Sequence, residues 1–279
     1  MLQHSFSHIP SVGVKTERKI WCSGVCSMDD FIASPPVFLP RNKSERIADH
    51  IHISKEKIAS KDVIHFYNNF CSRDQWRIFR EFRDSTVYLD IETTGLGVPG
   101  DIITTIALYD GKEIKYYVQG KNLNDFRDDI MAYKVIVTYN GKTFDIPFIE
   151  NYFDISISHA HLDLRYILYS LGYSGGLKLC ERRLGVGRKG TLADVDGFFA
   201  ILLWNDYKRK HKDKSLETLL AYNIEDVLNL EYLMVEAYNR KLNDIPLSIN
   251  KLNIPRSPNN PFDIDELTIQ RIKSQYYSY

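Results

Sequence analysis

The hydrophobic pattern of the chain predicts one buried strand that two carboxylates interrupt. Residues 87–91 read Val-Tyr-Leu-Asp-Ile, an apolar run with β-branched positions that is typical of a buried strand. Asp90 and Glu92 are two residues apart, and because side chains alternate across a strand, both point to one face. Two neighbouring like charges in a core strand are costly unless a cation neutralises them, and Mg²⁺ with its oxygen ligands is the natural partner. A strand end with both carboxylates in solvent is the plainer interpretation of an isolated pair.

The pattern that follows predicts an α/β domain. Two further strands, at 102–109 and 113–118, flank Asp110-Gly111, a strong hairpin signal. A helix at 123–133 precedes a fourth strand at 135–139. Later helices are predicted at 146–153, 163–171, 176–184, 193–211 and 215–240. This order is that of a ribonuclease H-like fold, a mixed sheet of antiparallel hairpin strands and parallel strands that helices flank.

Proline-rich stretches separate further segments from this domain. Pro35-Pro36 and Pro40 mark a linker, and residues 42–83 have helical patterning. The tail from Ile245 carries four prolines and predicts an extended segment with a short helix at 264–276. We therefore expect a small helical N-terminal region (1–34), a helical connecting arm (35–84), the α/β domain (85–242) and an extended C-terminal tail (243–279).

The N-terminal region contains a tight turn, Ile9-Pro-Ser-Val-Gly-Val-Lys-Thr, before two short helical patterns. It resembles one unit of a helix-hairpin-helix motif, with Ser11 at the position of the usual second glycine. In that family the turn's N–H groups and the helix N-terminus receive a nucleic-acid phosphate without reading sequence. The resemblance implies substrate contact at Lys15 and Lys19. The alternative is a helical hairpin that only packs on the main domain.

Composition and charge narrow the class of protein. The chain has 279 residues, 44% of them hydrophobic and 26% charged, as in ordinary globular proteins. Its formal net charge is zero, so binding to nucleic acid must come from local patches. Four scattered cysteines argue against a disulfide framework, and neither a signal-peptide pattern nor an apolar run of membrane-spanning length occurs. We expect a cytoplasmic protein with reduced thiols and no membrane partner.

Two later segments supply further carboxylates. The sequence Asn140-Gly-Lys-Thr-Phe-Asp145 follows the fourth strand, and capping of the next helix alone would explain its aspartate. In a long later helix, Tyr222 and Asp226 are four residues apart and project from one face, which nearby leucines make the inner one. That aspartate needs a partner, and the tyrosine could aim its hydroxyl at a bound water. A core tyrosine beside a solvated aspartate is the alternative.

Together the three segments resemble the motifs of the DEDD (DnaQ-like) 3′–5′ exonucleases. Asp-Ile-Glu-Thr-Thr-Gly at 90–95 resembles the first motif. The segment 140–145 resembles the second, most closely that of the proofreading domain of family-B DNA polymerases. Tyr-Asn-Ile-Glu-Asp at 222–226 resembles the third, with the tyrosine of the tyrosine subgroup instead of histidine. Combined with the N-terminal turn, the chain is similar to the bacterial and archaeal YprB-like predicted exonucleases over residues 85–242.

The resemblance implies a phosphodiesterase that uses two metal ions, Mg²⁺ or Mn²⁺, roughly 3.5–4 Å apart. These ions would clamp the attacking and leaving oxygens, with Asp90 bridging them. Tyr222, aided by Glu92, would orient the attacking water. The implied metal ligands are Asp90, Glu92, Asp145 and Asp226.

Five further residues match positions that contact the substrate strand in relatives. Thr93, Gly95 and Leu96 follow the first motif, where backbone approaches the terminal nucleotide and an apolar side chain wedges against its base. Asn140 and Phe144 match positions that line the strand path. Each could instead serve a turn or the core.

Other charged residues have simpler interpretations. Asp163 precedes a predicted helix and is expected to cap it. Basic runs occur at 182–183, 188–189 and 208–212. Such runs are usually solvated helix ends, but in a nuclease they can follow the substrate backbone, with a contribution that salt weakens.

The sequence therefore predicts a metal-dependent nuclease, a 3′–5′ exonuclease on single-stranded DNA or RNA. A structure-selective or RNA-directed endonuclease would use the same site. A catalytically silent nucleic-acid-binding scaffold is the alternative outside the enzymes, and the intact motifs argue against it. The sequence leaves DNA versus RNA and Mg²⁺ versus Mn²⁺ open.

Overall fold

The computed structural model describes residues 1–186 and 196–276. The chain divides into two units. The first consists of Met1–Ser85 with Val235–Asn253, and the second of Thr86–Met234 with Ile254–Tyr279. In the described part of the chain, no helix combines the length and the apolar character that crossing a membrane requires.

The second unit is built on a five-stranded mixed sheet with the order β3-β2-β1-β4-β5. The central strand β1 (Thr86–Thr93) pairs antiparallel with β2 (Ile103–Tyr109) and parallel with β4 (Val135–Thr138). β3 (Ile114–Val118) pairs antiparallel with β2, and β5 (Ala160–Asp163) pairs parallel with β4. The predicted ribonuclease H-like mixed sheet is thereby confirmed, although the sequence did not predict β5.

Helices flank this sheet. They are α6 (Phe126–Asp129), α7 (Asp145–Phe153), α8 (Leu164–Tyr169), α9 (Leu177–Leu184), α10 (Gly197–Lys210), α11 (Asp213–Lys241) and α12 (Glu266–Tyr276). Residues of α11 from Val235 onward belong to the first unit. The helices predicted at 146–153, 163–171, 176–184 and 215–240 each begin and end within two residues of these bounds. Of the helix predicted at 193–211, residues 193–195 lie outside the described residues.

One predicted helix of the second unit is wrong. Residues 123–133 form only the short α6, between 3₁₀ turns at Leu123–Asp125 and Ile130–Ala132. The spacing of the apolar residues still places Leu123, Phe126 and Ile130 in the core. Because the tighter 3₁₀ turns can bring these side chains inward as well, the apolar spacing alone does not require a continuous helix.

The side chains of β1 alternate between a core and a site. Val87, Leu89 and Ile91 belong to a buried cluster with residues of β2, α6 and α7. Asp90 and Glu92 alternate with them and therefore lie on the opposite face of the sheet. A second buried cluster contains residues of α10, α11 and α12, including Leu203, Leu219 and Ile272.

The first unit is helical. Its helices are α1 (Val14–Cys22), α2 (Met28–Ala33), α3 (Arg41–Ala59), α4 (Val63–Asn69), α5 (Phe79–Phe82) and the end of α11. Buried aromatic side chains fill its core, among them Phe6, Phe31 and Phe66. The core also holds an ion pair in which Arg77 Nη1 lies 2.8 Å from Glu17 Oε1.

Candidate active site

Three carboxylates from two elements meet on the face of the second unit's sheet that lies opposite the buried hydrophobic cluster of β1. Asp90 and Glu92 project from β1, and Asp226 projects from α11. One carboxylate oxygen of each lies within 4.8 Å of the others. Glu92 and Asp226 are buried, and Asp90 is partly exposed. The alternation along β1 and the position on α11 thus bring together three of the four acidic residues that the sequence singled out.

Asp145, the fourth acidic residue, lies beside this group at the start of α7. Its Oδ1 accepts a hydrogen bond from the backbone N–H of Ile91 at 3.2 Å. Burial raises the pKa of the Asp145 carboxyl to about 7, against the hydrogen bonds from backbone N–H groups that lower it. The charges of Asp163 and Asp226 raise it further. Among the described residues, however, the oxygens within 4.8 Å of one another come from the other three carboxylates.

The acidic residues disfavour one another's charged forms. Burial raises the pKa of Asp90 well above its usual range, and the charges of Asp226, Asp145 and Glu92 raise it further. A divalent cation would reverse this effect, because it favours the ionised form of every carboxylate around it. A set made of carboxylate oxygens suits hard cations such as Mg²⁺ or Mn²⁺. The donor set therefore fits the metal ions that the sequence implies.

Asn223 holds one of these carboxylates in place. Its Nδ2 donates to Asp90 Oδ2 at 2.7 Å and to the Asp90 carbonyl at 3.2 Å. Its Oδ1 accepts a hydrogen bond from Thr105 Oγ1 at 3.0 Å. The amide thus connects α11 to both β1 and β2. Sequence reasoning did not assign it a role, although a polar residue next to Tyr222 on a buried helix face was a usable signal.

Tyr222 lies one helical turn before Asp226 and is almost fully buried. The ammonium of Lys178, in the first turn of α9, stands 5.3 Å from the centre of its ring. This distance is typical of a cation–π contact. Sequence reasoning did not identify Lys178, because Lys178 and Tyr222 lie more than 40 residues apart in the chain.

A single cleft of about 900 Å³ contains the acidic group. This volume lies near the upper end of the range of ligand sites, roughly 300–1,000 Å³. All of the catalytic and metal-binding residues that the sequence predicts line it: Asp90, Glu92, Asp145, Tyr222 and Asp226. So do five of the predicted substrate-binding residues: Thr93, Gly95, Leu96, Asn140 and Phe144. The cleft also has lining residues that the sequence did not predict, from α8, from the glycine-rich loop before α9 and from α10.

The loop after β1 presents Leu96 at the cleft. The Asp101 carboxylate accepts hydrogen bonds from the N–H groups of Gly97 and Val98, each at 2.9 Å. A Cβ atom on Gly95 would overlap that carboxylate, which would have to move away from its hydrogen bonds to the loop. The loop leaves the Leu96 side chain 89% exposed. An apolar side chain is thus held in solvent beside the acidic group.

The turn after β4 is anchored by Asp163. Its carboxylate accepts hydrogen bonds from the N–H groups of Asn140 at 2.8 Å and Lys142 at 3.0 Å. It also accepts one from Arg165 N–H at 3.0 Å, which caps α8 as the sequence predicts. Asn140 adopts φ 69°, and the Arg165 guanidinium donates to its side-chain oxygen. Asp163 therefore positions one wall of the cleft in addition to capping a helix.

Lys15 and Lys19 belong to the first unit, where both are exposed on α1. The turn before α1 has left-handed backbone at one position. Ser11 adopts φ 68°, in the left-handed region that favours glycine. The N–H groups of Thr16 and Glu17 donate to the Gly13 carbonyl at 2.9 and 3.0 Å.

The basic runs that the structure describes lie at the ends of helices. Arg182 and Arg183 are in the last turn of α9, and residues 208–210 are in the last turn of α10. Lys210 pairs with Asp206 at 3.0 Å. Residues 188–189 lie outside the described residues.

Residues 87–238 match the family model of the RNase_H superfamily. No curated protein matches the sequence. Among solved structures, the chain is similar to the family B DNA polymerase from the archaeon Pyrobaculum calidifontis (17% identity, TM-score 0.41), covering 56% of this chain and 24% of that one.

Two other solved structures match this chain with similar sequence identities and TM-scores. Brucella melitensis NrnC bound to pGG has 18% identity and a TM-score of 0.40, covering 60% of this chain and 77% of that one. The Aedes aegypti Nibbler EXO domain has 14% identity and a TM-score of 0.41, covering 63% of this chain and 88% of that one.

Proposed function

The chain belongs to the RNase_H superfamily, and from this premise we propose that it is a metal-dependent nuclease. The proposed reaction is 3′–5′ exonucleolytic hydrolysis of single-stranded DNA or RNA, with the tyrosine-type set of catalytic residues. The observation that carries the proposal is the meeting of Asp90, Glu92 and Asp226 beside Tyr222 in one open cleft.

Asp90, Glu92 and Asp226 would hold the metal, with Asp145 beside them. Two bound Mg²⁺ or Mn²⁺ ions would supply an activated water and neutralise charge on the phosphate oxygens. With the metal ions bound, the four carboxylates would remain ionised. In the metal-free protein, burial and mutual repulsion disfavour ionisation of this group. The proteins named in the similar structures include a polymerase and an EXO domain, which agrees with a nucleic-acid substrate.

The chain's own residues would position the reacting groups. Tyr222 lines the cleft one turn from Asp226, where its hydroxyl would orient the attacking water with the help of Glu92. Asn223 keeps the Asp90 carboxylate at a fixed orientation through its 2.7 Å hydrogen bond. Leu96, held at the cleft by the Gly95 turn, would pack against the base of the terminal nucleotide.

The proposal is tested with end-labelled and internally labelled oligonucleotides of DNA and RNA. The protein is incubated with Mg²⁺, Mn²⁺ or EDTA. We expect a metal-dependent ladder that shortens from the 3′ end and that Asp226→Asn reduces to the level seen with EDTA. Asp213→Asn is the matched control, because Asp213 is exposed at the start of the same helix.

Each other outcome selects an alternative. Discrete internal products would favour an endonuclease that uses the same site. The absence of cleavage on single strands, duplexes and flaps, together with retained binding, would favour a nucleic-acid-binding scaffold and would refute the enzymatic proposal.

A further inference from the structure

The cleft carries exposed aromatic side chains that the proposed chemistry does not use. Tyr169, the last residue of α8, is 71% exposed, and Phe198, near the start of α10, is 56% exposed. Both line the cleft that contains Asp90. Single exposed apolar side chains are normal on a protein surface, but several that line one cleft mark a binding site.

Among the residues that the structure describes, the lining of the cleft is aromatic and poor in cations. It includes four carboxylates and one cationic side chain, Arg165. The Arg165 guanidinium already donates to the Asn140 side-chain oxygen. Its aromatic lining residues are Tyr139, Phe144, Tyr169, Tyr173, Phe198 and Tyr222. Such a lining offers little ion pairing to phosphates but many ring faces.

This composition indicates how a nucleic acid is bound. Stacking of bases on aromatic rings is a general mode of single-strand binding, and it tolerates any sequence because every base has a ring face. In a duplex those faces are covered by neighbouring base pairs, whereas an unpaired end leaves them open. Phosphate ion pairs would instead require lysine and arginine side chains along the lining.

We propose, on the basis of the nuclease function proposed above, that Tyr169 and Phe198 form a stacking platform for unpaired bases near the strand end. Of the affinity that the side chains of the cleft contribute directly, the platform supplies most, and ion pairs of lysine or arginine with phosphates supply little. The site therefore selects unpaired ends by their base faces, independently of sequence.

Binding is measured with a fluorescein-labelled single-stranded oligonucleotide whose phosphorothioate linkages resist hydrolysis, in the presence of Mg²⁺. We expect Tyr169→Ala and Phe198→Ala each to raise Kd about 5- to 100-fold, from the usual range for one base stacked on an aromatic ring. Tyr169→Phe, which keeps the ring, should leave Kd within about twofold of wild type.

Tyr166→Ala is the matched control. Tyr166 lies on the same helix and is 50% exposed, but it does not line the cleft. Its substitution should leave Kd unchanged. Equal losses for Tyr166→Ala and Tyr169→Ala would refute the platform. Because all three substituted side chains are exposed, thermal melting should match wild type, and it verifies that each variant is folded.

A substrate change tests the same contact from the other side. Replacing the two 3′-terminal nucleotides by abasic ones should weaken wild-type binding at least as much as Tyr169→Ala does. The abasic strand should cost Tyr169→Ala less binding than it costs wild type, because the two changes share one contact. Additive losses would show that Tyr169 does not contact those bases.

Salt gives a third readout. With Arg165 as the one cationic side chain among the described residues of the lining, log Kd should rise with log [KCl] with a slope of about 1 or less, and a slope of about 2 or more would refute the proposal. None of these measurements requires cleavage. If wild type binds through the platform but does not cleave, the nuclease proposal fails and the platform stands. If wild type cleaves and Tyr169→Ala changes neither binding nor cleavage, the platform fails and the nuclease proposal stands. Absence of wild-type binding would refute the platform directly.

Discussion

Two buried carboxylate sites of the second unit differ in what surrounds them. Asp206 on α10 receives two hydrogen bonds from the Arg271 guanidinium, at 2.9 and 2.6 Å, and one from Ser215 at 2.6 Å. The Arg271 hydrogen bonds hold its pKa well below the usual range. Asp90 lies among other carboxylates, and burial and their charges raise its pKa well above that range. The pKa values of the two carboxyl groups thus shift in opposite directions.

This difference distinguishes a carboxylate with partners inside the protein from a carboxylate of the proposed metal site. Asp206 joins α10 to α11 and α12 through partners that the protein itself provides. The charges gathered around Asp90 oppose one another until something from outside the chain neutralises them. Strongly perturbed pKa values gathered in a cleft are a common mark of functional sites. The two sites therefore predict opposite responses to the same kind of substitution.

The largest expected effect is on activity. Asp90→Asn should reduce metal-dependent cleavage to the level seen with EDTA, because it removes a metal ligand. In the metal-free protein the same variant should raise the free energy of unfolding, because it removes a carboxyl group whose charged form is disfavoured by burial and by the neighbouring carboxylates. Nuclease assays and urea unfolding in EDTA measure the two effects. Loss of stability together with activity would contradict the comparison.

The converse substitution should lower stability and spare activity. Asp206→Ala leaves Arg271 without its carboxylate partner, so we expect the free energy of unfolding to fall by about 2–3 kcal/mol. Urea denaturation measures this change, and the exposed Asp213→Ala should stay within about 0.5 kcal/mol of wild type. A folded Asp206→Ala protein without activity would show that the ion pair also serves the site.

The two sites should also respond to pH with opposite signs. Burial raises the pKa of Asp145, beside Asp90, to about 7, so this group takes up a proton on folding and stability rises as pH falls from about 7 towards 4. Hydrogen bonds to Arg271 lower the pKa of Asp206, so its contribution is present above about pH 4 and is lost as pH falls further.

The pH prediction is measured by urea unfolding in EDTA at pH 7.5, 5 and 3. Between pH 7.5 and 5, wild type should gain about 2 kcal/mol relative to Asp145→Asn. Between pH 5 and 3, wild type should lose stability relative to Asp206→Asn. A change of the same sign in both intervals would contradict the assignment of the two sites.

A smaller effect on activity is expected from Asn223, the residue of this chain that holds the Asp90 carboxylate. Asn223→Ala removes the donor that fixes Asp90, so we expect kcat to fall about 10- to 100-fold, as for other residues that orient a metal ligand. The metal concentration for half-maximal activity should rise as well. Thr105→Val, which removes only the hydrogen bond behind Asn223, should have a milder effect in the same direction. Unchanged metal dependence would limit Asn223 to a packing role.

The smallest effect is expected in the first unit. Substitution of both Lys15 and Lys19 by alanine should weaken binding of a long single strand about two- to fivefold, because exposed cations contribute little each. A short strand that fills only the cleft should bind as before. Equal weakening for both strands would mean that these lysines act on the cleft site.

The sequence predicts those parts of the site that follow from local periodicity. Asp90 and Glu92 share a face because strand side chains alternate, and Tyr222 and Asp226 share one because they are one helical turn apart. The Asp110-Gly111 hairpin is equally local. Gly111 adopts φ 87°, and Asp110 Oδ1 accepts hydrogen bonds from the N–H groups of Lys112 and Glu113.

What the sequence misses depends on packing between distant segments. β5 has only four residues, and its hydrogen bonds to β4 and not its own pattern make it a strand. The partners of Asp206 and the contact of Lys178 with Tyr222 likewise join separate elements. The sequence does not distinguish Tyr169 from Tyr166, because both are tyrosines of the same helix. Both are exposed, and only the structure shows that Tyr169 lines the cleft and Tyr166 does not.

The alternation along β1 has a consequence for how this protein can evolve. One set of its side chains builds the core, and the set between them builds the acidic cluster. Single substitutions can alter one set and spare the other. A one-residue insertion or deletion within the strand would exchange the two sets, placing carboxylates in the core and leucine in the cleft. A one-residue change in the length of β1 is therefore expected to cost more than a single substitution in either set.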